Sequence, residues 1–278
     1  MKKLCATLLC LALCMGVLPV RAAGPEVNAR AALLMEKSTG QVLYEANAHA
    51  PLELASVTKV MTMLLIMEAL DAGTITKETM VPVSATAAGM GGSQVYMEEG
   101  EEFSVHDMLK AIAVASGNDA CVAMAEYLAG SESAFVEKMN ARAAELGMED
   151  TSFENPSGLD GQAHYSTARD MARLAAYAAG NHTFVRLCST RSVTIGGRTM
   201  TNHNRLLRAV PGCIGMKTGY TRAAGRTLVS AAERDGRRLV AVTLQDGNDW
   251  ADHAALYDWG FAQETRQATA ALNQEDTP

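Results

Sequence analysis

Ala55-Ser56-Val57-Thr58-Lys59-Val60-Met61-Thr62-Met63-Leu64-Leu65-Ile66-Met67-Glu68-Ala69-Leu70 lies between Pro51 and Gly73 with no proline or glycine of its own. It is apolar almost all round, which marks a buried helix rather than a surface one. Ser56 is expected to open that helix. Residues i and i+3 share a helix face with Cβ atoms about 5–6 Å apart, so the Lys59 amine can reach the Ser56 hydroxyl and take its proton, the arrangement of an activated serine. Serine is also a preferred N-cap, so the four residues have a purely structural reading as well. Against it, a capping box is completed by Glu or Gln, and a lysine in the first turn faces the positive end of the helix dipole at a cost of roughly 0.3–1 kcal/mol. Burial and any second cation would push that amine towards the neutral form a general base needs.

The N-terminus reads as a secretory signal peptide over residues 1–22. Lys2 and Lys3 form a basic start, Leu4 to Leu18 an apolar core, and Pro19-Val20-Arg21-Ala22-Ala23 a small-residue cleavage site. About 15 apolar residues fall short of the roughly 20 that span a bilayer, and the tail from residue 265 to 278 lacks a sustained apolar face. The mature chain is therefore expected outside the cytoplasm, secreted, with no stable membrane anchor. Cleavage removes Lys2, Lys3 and Arg21 and no acid, leaving 21 basic and 31 acidic residues, a net charge of −10. Nucleic acid is not an expected partner. Cys121, Cys188 and Cys213 remain after cleavage, and neither they nor the six scattered histidines give a disulfide framework or a metal spacing. No metal or cofactor is called for.

Two β-like runs, Ala31–Glu36 and Gln41–Glu45, flank Lys37-Ser38-Thr39-Gly40 and read as a hairpin; Arg226–Ala232 and Arg238–Leu244 form another about Asp235-Gly236. The chain between them is mostly helical. This predicts an α/β chain of the α+β type: one antiparallel sheet assembled from the N- and C-terminal strands, flanked by helices, with an inserted helical lobe. Residues 23–264 form a single catalytic domain on this reading, with the active site where lobe meets sheet.

Ser104 is expected to cap a helix over Val105–Ala115, which Ser116-Gly117-Asn118 interrupts before Asp119 starts the next. Downstream, Gly215-Met216 leads into Lys217-Thr218-Gly219-Tyr220-Thr221 on a late strand. Each stretch alone has an ordinary structural reading. Together, Ser-x-x-Lys on a buried helix, Ser-x-Asn in a helical lobe some 60 residues on and Lys-Thr-Gly on a late strand, in that order, resemble the penicillin-binding, serine-type D-alanyl-D-alanine carboxypeptidases. The similarity runs from about Ala31 to Phe261 and takes in Glu154-Asn155-Pro156-Ser157-Gly158-Leu159 and His164-Tyr165-Ser166-Thr167-Ala168-Arg169-Asp170.

The resemblance implies a fold of the β-lactamase and transpeptidase kind and a set of roles. Ser56 would be the nucleophile and Lys59 its base, with Ser116 passing a proton to the leaving amine. Asn118 would orient Lys59 and the substrate, Lys217 add positive charge, and Thr218 bind the terminal carboxylate. Gly219 would leave room for the substrate backbone, and the N–H groups of Ser56 and Tyr220 would form the oxyanion hole. Peptidoglycan stem peptides are the implied substrates and β-lactams the implied covalent inhibitors. Two departures are visible. Many relatives continue into a further β-rich domain and an amphipathic anchor, whereas 17 residues follow Phe261 here. Some also hold the substrate carboxylate with an arginine after the last strand, where Gln245–His253 has none, which leaves Arg222 as the substitute this reading names. The alternative activities are a D,D-endopeptidase that cleaves cross-links, a β-lactamase, for which Glu154 would have to activate water, and a non-catalytic cell-wall or β-lactam sensor.

Overall fold

The computed structural model describes residues 24–275, so the signal segment expected over residues 1–22 lies outside the described residues. Five strands form one antiparallel sheet: β1 (Ala31–Glu36), β2 (Val42–Ala46), β3 (Cys213–Thr221), β4 (Gly225–Arg234) and β5 (Arg237–Leu244), in the order β2-β1-β5-β4-β3. The two terminal hairpins meet at β1 and β5, with Leu33 opposite Val242 and Met35 opposite Val240. Their turns carry the conformations their residues favour: Gly40 at φ 71°, and Asp235 and Gly236 at φ 52° and 77°, the double positive φ of a tight hairpin turn. β3 is an edge strand.

Between the hairpins lie the helices α1 (Lys59–Asp71), α2 (Val105–Lys110), α3 (Asn118–Ala129), α4 (Glu132–Glu145), α5 (Ala168–Ala178) and α6 (His182–Ser189); α7 (Asp249–Glu275) follows the sheet. The backbone of α7 crosses the expected boundary at residue 264 without a break. Successive residues of a strand point to opposite faces, and here both faces are covered. Leu33, Val229, Ala231, Val240 and Val242 join the core of the helical lobe. Leu34, Leu228, Ala232, Leu239 and Ala241 form a second core with Leu256 and Tyr257 of α7. That explains why β1 is buried along its whole length rather than alternating. α1 is the axis of the lobe, with Val60, Met61, Met63, Leu64, Ile66 and Met67 all buried, as its all-round apolar sequence requires.

A polar chain crosses the second core. The Ser230 hydroxyl lies 2.6 Å from both His253 Nδ1 and the Tyr257 hydroxyl, and Thr243 Oγ1 lies 3.0 Å from His253 Nε2. Burial holds His253 neutral by pushing its pKa down to about 3. Because the unfolded histidine titrates near 6.5, the unfolded chain binds the extra proton first, so this contribution to stability is complete above about pH 6.5 and is lost as the pH falls towards 3. The melting temperature should therefore fall between pH 6.5 and 5, above the range of ordinary carboxylates, and His253→Gln should flatten that slope. An unchanged slope in the variant would exclude His253 as its source.

Candidate active site

The segment around Ser56 departs from expectation in its local geometry. Ser56 does not open α1: Ala55–Thr58 form a 3₁₀ turn, α1 begins at Lys59, and neither the turn nor the helix has a side-chain cap. A 3₁₀ turn has three residues per revolution, so positions i and i+3 eclipse. Ser56 and Lys59 are thereby aligned one above the other, and Lys59 Nζ lies 2.8 Å from Ser56 Oγ. The serine hydroxyl is freed from capping and committed to the amine.

Lys59 is fully buried and has two further partners, Asn118 Oδ1 at 2.7 Å and the backbone carbonyl of Ser157. Burial lowers its pKa to about 8, opposed by the charges of Cys121 and Asp119. Lys217, also buried, is lowered to about 7, first by burial and then by the Lys59 charge, and its amine donates to the carbonyl of Thr218 at 2.8 Å. Two cations in one dry site disfavour each other, so the pair sheds its first proton near neutral pH.

Ser116 ends the segment Ala111–Ala115, which widens from α into π geometry, in a left-handed conformation at φ 62°. Its hydroxyl is buried and has no hydrogen-bond partner among the described residues. Leaving a buried hydroxyl unpaired costs about 1–3 kcal/mol, a cost expected where a group awaits a substrate. Asn118 opens α3 and is held on its other side, Nδ2 donating to the Gly91 carbonyl at 2.7 Å. Asp119, the next residue, accepts the N–H groups of Val95 and Met97 at 2.9 and 3.2 Å, tying the Gly91–Met97 loop to the start of α3.

The edge strand β3 closes the other side. Gly219 pairs with Thr227, whose hydroxyl donates to the Leu54 carbonyl at 2.8 Å and so pins the turn before Ser56 to the sheet. A Cβ on Gly219 would lie 2.9 Å from the Ser56 nitrogen and 2.4 Å from Thr227 Oγ1, so only glycine allows β3 this close. Ser56, Ser93, Ser116, Thr218, Gly219 and Tyr220 all line one cleft of about 530 Å³. Of the residues singled out from sequence, Ser56, Lys59, Ser116, Asn118, Lys217, Thr218, Gly219 and Tyr220 therefore converge. Arg222 does not: it is exposed and away from the cleft wall, where the arginines are Arg205, Arg208 and Arg226. Glu154 is exposed and outside the cleft as well.

The Asn155–Leu159 loop is the part that residue-type reasoning missed. Asn155 Oδ1 accepts the N–H groups of Ser157, Gly158 and Leu159 at 3.2, 2.7 and 3.1 Å, an Asx-type turn that an Asn-Pro-Ser-Gly sequence could have announced. The turn aims the Ser157 carbonyl at Lys59. Thr62 anchors the same loop through the Pro156 carbonyl at 2.6 Å. His164 steadies both ends: its Nδ1 accepts the Glu154 N–H at 3.0 Å, so the neutral ring carries its proton on Nε2 and donates to Thr58 Oγ1 at 2.7 Å. Burial holds its pKa down to about 4.

Comparison with known proteins bears on the chain as a whole. The family of peptidase S11, D-alanyl-D-alanine carboxypeptidase, matches residues 19–248. The D-alanyl-D-alanine carboxypeptidase DacF of Bacillus subtilis is 44% identical over 257 residues, 89% of this chain and 66% of the relative. DacD of Escherichia coli, another D-alanyl-D-alanine carboxypeptidase, is 39% identical over 228 residues, 79% of this chain and 59% of the relative. The chain thus spans about three-fifths to two-thirds of the lengths of these relatives. The crystal structure of penicillin binding protein 6B from Escherichia coli superposes with a TM-score of 0.83 at 36% identity, covering 87% of this chain and 80% of that one.

Gly158 has φ 84°, and a Cβ there would lie 1.9 Å from the Ala55 carbonyl oxygen, a backbone atom. Gly158→Ala should lower stability by at least about 1–2 kcal/mol. It should also displace the Ala55–Ser56 backbone and slow acylation of Ser56 by a fluorescent penicillin about 10²-fold. Gly40→Ala, at φ 71° with nothing within 4 Å, should lose stability and keep full reactivity. Equal reactivity of the two variants would remove the loop from the site.

Proposed function

The chain belongs to the D-alanyl-D-alanine carboxypeptidase family, and on that premise we propose that it removes the terminal D-alanine from peptidoglycan stem peptides through an acyl-enzyme on Ser56. The observation that carries this reading is the environment of Lys59. A neutral amine has two N–H donors and one lone pair. Lys59 Nζ donates to Ser56 Oγ, Asn118 Oδ1 and the Ser157 carbonyl. Once the ammonium gives up one proton, Asn118 and Ser157 hold the two remaining N–H bonds and the lone pair faces Ser56 Oγ.

Ser56 Oγ attacks the carbonyl between the last two D-alanines as Lys59 takes its proton, and the oxygen of that carbonyl becomes an oxyanion. The N–H groups of Ser56 and Tyr220 are its donors, fixed groups aimed at charge that exists only in the transition state. The proton Lys59 took from Ser56 is relayed through the Ser116 hydroxyl, which gives its own proton to the departing amine and receives this one in return, and D-alanine leaves. Thr218 holds its carboxylate, with Lys217 behind it adding positive charge. Water then cleaves the ester and restores Ser56. β-Lactams acylate the same oxygen, and the exposed position of Glu154 leaves their ester without the water-activating acid a β-lactamase uses. Among the described residues no helix is long and apolar enough to cross a membrane, and the reading places the mature protein on the extracytoplasmic side, against the cell wall.

A pentapeptide ending in D-Ala-D-Ala should lose one D-alanine, detected by mass. Ser56→Ala should abolish this and the covalent labelling by penicillin, and Lys59→Ala should slow both by several orders of magnitude, since base and nucleophile act as a unit. Given equal amounts of pentapeptide and cross-linked dimer, D-alanine should appear first. Faster conversion of dimer to monomers would make the enzyme an endopeptidase with the same acylation chemistry.

A further inference from the structure

The reaction above leaves part of the cleft wall unused. Asn202, His203, Arg205 and Arg208 line it from the segment around the short helix Leu206–Ala209. Arg205 and Arg208 are exposed, and three residues apart they share a face of that turn. Neither guanidinium has a hydrogen-bond or ion-pair partner among the described residues. The third arginine of the wall differs: Arg226 grips Asp249 through two hydrogen bonds of 3.0 and 2.9 Å and lies over the Trp250 ring. Asp249 is the one acidic side chain in the lining among the described residues, and Arg226 takes both of its oxygens. His203 adds no charge at neutral pH, because burial and the nearby Lys217 and Lys59 lower its pKa.

The chain as a whole carries a net charge of −7, and most of its arginines outside the cleft are paired: Arg142 with Glu68, Arg169 with Glu45, Arg198 with Glu101, Arg234 with Asp258. Arg205 and Arg208 thus present two neighbouring guanidinium groups to the cleft with no carboxylate partner among the described residues. Their planar, fixed forks match a carboxylate in two-point contact. On the reading above the C-terminal carboxylate of the peptide is met by Thr218 on β3, with the charge of Lys217 behind it, so a second cationic group on the opposite segment is matched by a second anion.

We infer that Arg205 and Arg208 form an anionic subsite that reads a further carboxylate on the peptide, so that the preferred substrates are acidic peptides ending in D-Ala-D-Ala. This rests on the reading of the reaction given above. The test uses two pentapeptides identical except that one side-chain carboxylate upstream of D-Ala-D-Ala is a carboxamide in the second. At low salt the acid should be favoured roughly three- to tenfold in kcat/KM, the range of two partly exposed ion pairs, with the difference in KM. The ratio should approach one at about 1 M salt, where the screening length is about 3 Å. It should also approach one in Arg205→Gln/Arg208→Gln and drop below one in Arg205→Glu/Arg208→Glu, with the melting temperatures of both variants confirming folding. Binding of the two peptides to Ser56→Ala reads the subsite without turnover. A preference for the acid there, with no release of D-alanine by the unaltered protein, would reject the reaction and keep the subsite. Equal binding of acid and amide, or a preference that survives in the double glutamine variant, overturns the subsite.

Discussion

The amine of Lys59, enclosed by Ser56 Oγ, Asn118 Oδ1 and the Ser157 carbonyl, is the contact on which the rest of the molecule depends. Its three partners come from three separate stretches of chain. Each needs its own support: the 3₁₀ turn that eclipses Ser56 with Lys59, the π-widened segment and left-handed Ser116 that present Asn118 at the head of α3, and the Asx turn that aims Ser157. The sheet enters through its edge. β3 can press against the Ser56 turn only because Gly219 has no side chain, and Thr227 fastens that turn to the neighbouring strand.

Electrostatics follow from packing. α1 is buried on all sides, so a lysine at its first residue is dry whatever its partners are, and burial is the main cause that lowers its pKa. Lys217 approaches from the sheet and is buried too, and the charge on Lys59 lowers it further. Two amines in one low-dielectric space cannot both remain charged at little cost. A general base works best when its pKa lies near the operating pH, and this pair reaches that range through burial and mutual repulsion. Asp119, although buried nearby, spends its oxygens on backbone N–H groups of Val95, Met97 and Ala120, so it acts first as a clamp on the cleft loop.

The sheet was legible because hairpin turns and short apolar runs are local signals: Gly40 and Asp235-Gly236 lie where positive φ is needed, and β1 pairs with β5 as the terminal strands require. The side chains that converge on the cleft are legible through spacing and order. Three things are not. The sequence predicts that Ser56 opens an α-helix, whereas the local geometry is 3₁₀, a distinction that sequence periodicity over four residues cannot make. Ser157 contributes a carbonyl, a group every residue owns, so no residue type marks it. Arg222 lay three residues from the motif, yet the register that pairs Tyr220 with Arg226 places Arg226 on the cleft, and Arg205 and Arg208 arrive from a segment whose position only the tertiary fold decides.

The protonation of one amine decides whether this chemistry can run. Titration of the lysine side-chain nitrogens of the unacylated protein by NMR, with the Lys59 resonance identified by its loss in Lys59→Met, measures it directly. The account predicts a midpoint at about pH 8 for Lys59. A midpoint at or above the ordinary lysine value of about 10.4 would leave Ser56 without a base at neutral pH and contradict the mechanism.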